Sequence, residues 1–447
     1  MGQTYDLVLR GGRVVNHDGD GARDIGVRNG KIAEIGVPFG ADAGETVDCA
    51  GLCILPGVMD TQVHFREPGA LHKEDLETGS RAAVLGGVTA VFEMPNTSPL
   101  TVAKEAVEDK LARAAGEGAH GGMFCDHAFF VGASRGNLDA LGELEMLPGV
   151  CGVKIFMGAS TGDLLLEDDE SVRAALANGR RRVAIHSEDE FLLREGKSRA
   201  RPGEWTSHPE ARSVEAAVKC TERVLRLARQ TKRRVHILHI STADEIPLLA
   251  AAKDIATAEA TPQHLTFAAP DCYERLKGLA QMNPPIRDAA HREGLWRGVA
   301  QGVFDIIGSD HAPHALEEKS RPYPASPSGM PGVQTLVPVM LDHVAAGRLT
   351  LERLVDLTSA GPARVYQIAA KGRIAEGYDA DFTIVDLKAK RTIANAWIAS
   401  RCGWTPYDGR TVTGWPVGTV VRGRRVMWED EIVGPAIGEV VRFTETL

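Results

Sequence analysis

The sequence predicts an α/β fold: a (β/α)8 barrel of the TIM type carrying a small β-sandwich domain built from both chain ends. Three observations predict it. Both ends are rich in short β-type runs punctuated by turns, the middle alternates buried strands with helical stretches, and no Gly-rich phosphate loop follows the first strand, as an open doubly wound sheet would normally supply. The length of 447 residues, with 43% hydrophobic and 25% charged, accommodates one large domain and a smaller one, since α/β barrels use about 200–250 residues.

The first part of the sandwich is expected over residues 1–55, where TYDLVLRGGRVV and GARDIGVRNGKIAEIG alternate apolar runs with Gly-Gly and Asn-Gly turns. The barrel is expected over 56–370. Its eight strand candidates lie at 58–64, 89–94, 128–131, 152–157, 183–186, 235–240, 257–260 and 304–309. Helical periodicity is clear in 74–86, 101–115, 209–231 and 242–253, where apolar residues recur every three or four positions. The second part of the sandwich is expected over 371–447, with GRIAEGYDADFTIVDL and VGTVVRGRRVMWEDEIV as its strands.

Fifty-one Lys and Arg against 60 Asp and Glu leave a charge of −9, which argues against nucleic acid or an anionic membrane as the main partner and names no substrate. No run of 18 apolar residues occurs, and MGQTYDLVLR lacks a basic region followed by an apolar core, so neither a membrane span nor a secretory signal is expected. A cytoplasmic location is the expectation. Seven Cys without a C-x-x-C pair read as reduced, buried thiols.

In such barrels the active site lies at the C-terminal strand ends. Here those ends are polar: Asp60 to His64 on strand one, Lys154 on strand four, His186 on five, His239 on six, and Asp310 with His311 on eight. Neutral imidazoles and carboxylates are zinc ligands, and a catalytic zinc site keeps one position open for water. Lys154 in GVKIFMG is an ammonium among apolar neighbours, so it should tend to lose its proton. A neutral amine there could react with carbon dioxide to form a bridging carbamate; an ion pair with Asp310 or another neighbour is the alternative.

HFREPG (64–69), EMPNT (93–97), KIFMGAS (154–160), HSED (186–189), HIST (239–242), MNPPIR (282–287) and GSDHAPH (308–314) together resemble the dihydroorotases of the amidohydrolase superfamily, over the whole chain. The resemblance implies reversible hydrolysis of dihydroorotate to N-carbamoyl-aspartate in pyrimidine synthesis. It implies one or two zinc ions, one held by His186 and His239, the other with help from His64 and Asp310, and a carboxylated Lys154 between them. Asp310 would also move the proton, Arg66 and Asn96 would bind the substrate carboxylate, and Asn283 and His314 would make further substrate contacts. A homo-oligomer is expected, and some dihydroorotase-like chains with damaged metal motifs are non-catalytic partners of aspartate transcarbamoylase. A hydantoinase or allantoinase is the other alternative, against which the REPG and MPNT motifs argue.

The family pattern begins with His-x-His, whereas this chain has Gln62-Val63-His64. Positions two apart on a strand share a face, so the Gln62 amide takes the place of an imidazole, and an amide oxygen binds zinc poorly by comparison. A weak Gln62 ligand, a site built on Lys154, His186 and His239, and a degenerate site are the three outcomes left open. His127 begins a strand, at the wrong end of a barrel, and His72, His120, His208, His236, His291 and His343 lack partners at ligand spacing; all are read as structural or surface residues. The segment RPYPASPSG (321–329) is either a cover for the barrel mouth or an ordinary surface connection.

Overall fold

A computed structural model describes residues 5–117, 121–158 and 162–446. His120 and residues 159 and 160 of KIFMGAS lie outside them. Eight parallel strands run in sequence order around a barrel: Val58–Val63, Val88–Glu93, Asp126–Gly132, Val150–Phe156, Val183–His186, Val235–Ile237, Ala256–Ala260 and Ile306–Ile307. The ring closes where Val63 bridges His311 in parallel and the His64 N–H donates to the His311 carbonyl at 2.7 Å. Alternation sorts each strand between two environments. Val153, Ile155 and Met157 pack outward in the large cluster beneath the helices, and Lys154 and Phe156 between them face the barrel mouth.

Two strands are shorter than predicted and one helix is interrupted. The sixth strand ends at Ile237 rather than 240, and the eighth holds only two residues. In both cases the chain leaves the ladder to present a side chain: His239 and Asp310 take positive φ angles of 37° and 46°. The stretch 209–231 forms two helices, His208–Ala211 and Val214–Thr231, the second capped by Ser213. The break falls at Arg212, whose guanidinium turns to Glu188. Among the described residues no helix is long and apolar enough to cross a membrane.

The β-rich ends interleave, as the predicted fold class requires. Residues before the barrel form a four-stranded sheet around Tyr5–Arg10, and a seven-stranded sheet joins Arg13–Asn16, Gly19–Ala22 and Cys53–Pro56 to strands from Phe382 onward. Phe382 to Val385 pair antiparallel with Pro56 to Cys53. Leu7, Leu9, Ile25, Ile54, Phe382 and Ile384 fill the space between the two sheets.

The chain's last segment closes the barrel floor. The Gly438 N–H donates to Met123 O, the His127 N–H to Glu439 O and the Val441 N–H to His127 O, so His127 is part of this seam. Phe443, 1% exposed, enters an aromatic floor with Phe92, Phe130 and Tyr366, and the Arg181 guanidinium covers its ring at 4.6 Å. Phe443→Ala should lower the unfolding free energy by about 3–5 kcal/mol, the usual cost of deleting a buried Phe ring. Urea denaturation of both proteins checks this, and a loss below about 1 kcal/mol would mean that the floor repacks.

Candidate active site

A cavity of about 180 Å³ at the C-terminal strand ends is lined by Gln62, His64, Arg66, Asn96, Lys154, His186, His239, Asn283, Asp310 and His314. Every site residue predicted from the sequence therefore meets in one pocket. Ser328 and Gly329 from the loop 321–329 complete the wall, so that loop does border the mouth. Three residues hold left-handed backbone to reach the pocket: Arg66 (φ 62°), His239 and Asp310. Such conformations cost roughly 1–3 kcal/mol each and persist only where the surroundings enforce them.

The polar side chains come as two facing pairs. His186 Nδ1 lies 3.1 Å from His239 Nε2, and His186 Nε2 lies 2.9 Å from the Glu188 carboxylate. Glu188 is fully buried and gripped by the Arg212 guanidinium. A carboxylate only accepts, so the neutral imidazole donates from Nε2 and turns its Nδ1 lone pair toward His239. On the other side, His64 Nδ1 lies 2.7 Å from Asn96 Oδ1, and His64 Nε2 lies 3.3 Å from Asp310 Oδ1. With the Nδ1 proton given to Asn96, a nitrogen lone pair faces a carboxylate oxygen. Burial pushes the pKa of His64, His186 and His239 down, which favours these neutral forms.

A nitrogen lone pair facing a carboxylate oxygen in a buried site is an arrangement that a cation relieves, and imidazole with carboxylate is a donor set suited to zinc. Among the described residues no group of three or more His, Cys, Asp or Glu side chains could hold a metal ion. Each pair therefore needs a further donor, and two candidates line the same pocket. Burial pushes the Lys154 ammonium down to about 7 against the opposing pull of Asp310 and Glu259. It forms no hydrogen bond or ion pair among the described residues, its nearest aromatic face being Phe156 at 4.5 Å. The ion pair with Asp310 weighed from the sequence is not made. Gln62 donates from Nε2 to Asp310 Oδ1 at 3.1 Å, and its Oε1 is buried without a partner among the described residues.

At the far wall the Arg66 guanidinium is half-buried, donates from Nε to Pro313 O at 3.2 Å, and makes no ion pair among the described residues. His314 Nδ1 accepts from Lys73 Nζ at 3.1 Å, and its Nε2 donates to Ser328 O at 3.1 Å. Burial, with Arg66 and Lys73 beside it, holds His314 far below the usual imidazole range and therefore neutral. Lys73 is anchored by Glu318 at 3.0 Å. Sequence reasoning missed Glu188, Arg212 and Lys73. Glu188 carried a signal, an acid two positions after a strand-end His; the other two carried none.

A model of the amidohydrolase family matches residues 204–426, and one described as dihydro-orotase-like matches residues 51–145. The barrel and its mouth thus define an amidohydrolase-type hydrolase. A dihydroorotase of Halobacterium salinarum is 37% identical over 98% of this chain and 99% of its own length. An allantoinase of Deinococcus radiodurans is 34% identical over 98% and 99%. The solved L-hydantoinase (dihydropyrimidinase) of Arthrobacter aurescens superposes with a TM-score of 0.91 at 29% identity, covering 98% of this chain and all of the other. The chain belongs to the amidohydrolase family, in its dihydroorotase-like group.

Proposed function

We propose that this chain is a dihydroorotase, opening the ring of dihydroorotate to N-carbamoyl-aspartate and closing it in reverse. The observation that carries the reading is Arg66, a half-buried guanidinium that makes no ion pair among the described residues, in the same small pocket as the two donor pairs. A guanidinium meets a carboxylate through two parallel charge-assisted bonds, and the carboxylate distinguishes dihydroorotate from an unsubstituted hydantoin. Asn96, Asn283 and His314 border the same end.

His186, His239 and Lys154 would hold one zinc ion, with His64 and Asp310 contributing to a second. A neutral Lys154 amine can take up carbon dioxide to give the anionic third donor that the imidazole pair lacks. When bound, zinc acidifies water and polarises a carbonyl. The chain's own residues do the rest. Arg66 and Asn96 fix the substrate carboxylate, which orients the ring amide toward Asp310. The Asp310 carboxylate accepts a proton from the attacking water and returns it to the leaving ring nitrogen, so the carbon–nitrogen bond breaks as the new carbon–oxygen bond forms. Glu188 and Arg212 keep the His186 Nδ1 lone pair aimed at the pocket.

Gln62 favours a second reading, a non-catalytic partner of aspartate transcarbamoylase, because its amide N–H is committed to Asp310 and an amide oxygen is a weak zinc ligand. One experiment separates the readings. Purified protein supplied with zinc and bicarbonate should change the ultraviolet absorbance of dihydroorotate, prefer it to hydantoin and allantoin, and lose activity on chelation. Gln62→His should raise the metal content per chain. No turnover together with near-zero metal would overturn the dihydroorotase reading, and co-elution with the transcarbamoylase would support the alternative. Faster turnover of allantoin or hydantoin would reassign the substrate.

A further inference from the structure

Lys319 is a long cationic side chain, 1% exposed, with no carboxylate partner among the described residues. Burying an ammonium is costly unless every N–H finds an acceptor. Here three backbone carbonyls supply them: Gln281 O at 3.0 Å, Pro327 O at 2.7 Å and Gly329 O at 2.8 Å. The Trp404 ring lies 5.9 Å from the same nitrogen.

The three carbonyls belong to two segments that build the pocket wall. Gln281 stands two residues before Asn283, and Pro327 and Gly329 flank Ser328, whose carbonyl receives the His314 Nε2–H. The side of the loop formed by Tyr323, Pro324 and Ser328 borders an adjoining chamber of about 540 Å³. The Gln281 side-chain amide, which donates to Ser326 O and Ser328 Oγ, the Gly203 N–H, which donates to Tyr323 O at 2.8 Å, and the Ser326 hydroxyl, which donates to Lys319 O at 3.2 Å, share the task of holding it. Without the ammonium, the Pro327 and Gly329 carbonyls lose this donor while the Gln281 carbonyl keeps the Gly329 N–H at 2.9 Å, and an unsatisfied buried group costs about 1–3 kcal/mol.

We propose that Lys319 is a positioning residue that pins the loop 321–329 against the Gln281 segment, and that the carbonyl cage around its nitrogen is a binding site for a primary ammonium group. The link to catalysis rests on the dihydroorotase reading; the cage and the loop do not. Lys319→Ala removes the atoms of propylammonium, and Lys319→Met keeps the bulk while removing the donors.

In the full-length metal-loaded protein, Lys319→Met should raise KM for dihydroorotate about tenfold or more with a smaller change in kcat, a scale set by the large rate cost of small misplacements. Amide hydrogen exchange should rise in residues 321–329 and not in the barrel floor. In Lys319→Ala, millimolar propylammonium should restore both readouts, whereas tetramethylammonium, which has no N–H, should restore neither. Unchanged exchange in the loop of Lys319→Met, or equal effects of the two cations on Lys319→Ala, would overturn the proposal. Should wild-type protein fail to turn over dihydroorotate, the exchange measurements still decide the role of Lys319, so the two failures are distinguishable.

Discussion

Asp310→Asn should lower kcat for dihydroorotate by about a thousandfold, within the range expected when a proton-transferring group is removed. The substitution isolates chemistry from folding. Asn tolerates the left-handed backbone better than most residues, so the φ of 46° at this position is kept, and its side-chain oxygen can still accept the Gln62 amide N–H that now reaches Asp310 Oδ1. What disappears is the capacity to take a proton and hand it on, together with an anionic donor to the proposed second zinc ion, so metal content per chain is measured alongside the kinetics. KM and the thermal midpoint should therefore stay close to wild type. Steady-state kinetics with a thermal melt check this, and a loss of kcat below tenfold would remove Asp310 from the proton path.

Arg66→Lys should reduce kcat/KM on dihydroorotate by about 10- to 100-fold, equivalent to losing a hydrogen bond to a charged group worth about 1.5–3 kcal/mol. Charge is conserved, so the effect comes from geometry: a lysine offers a point charge where arginine offers a planar fork. The Nε–H bond to Pro313 O, which now fixes the plane of the guanidinium, goes as well. The matching measurement uses hydantoin, which has no carboxylate. Its slow turnover should be nearly unchanged by the substitution, and an equal loss on both substrates would refute a carboxylate-binding role for Arg66.

The barrel was legible because strands covered on both faces read as continuous apolar runs, so single polar residues such as Lys154 and His186 stand out within them. Their convergence followed from a rule about strand ends, not from the local sequence. The early ends of the sixth and eighth strands were hidden because nothing in the composition of HIST or GSDHAPH announces the positive φ at His239 and Asp310. The helix break at Arg212 carried one local signal, Ser213 as the cap of the second helix, while the partner of Arg212, Glu188, lies 24 residues earlier. Lys73 and Lys319 are ordinary surface residues by type; their acceptors are an imidazole and three carbonyls from segments that only the fold brings near. The partition of the β-rich ends into a four- and a seven-stranded sheet depends on pairings between residues some 330 positions apart, such as Thr383 with Leu55.

The aromatic plug around Phe443 fills the floor of the barrel, and the reaction pocket lies at the opposite, C-terminal strand ends. Both chemical directions would use that one small chamber of about 180 Å³, so the ring-opened compound should compete with the ring-closed one for it.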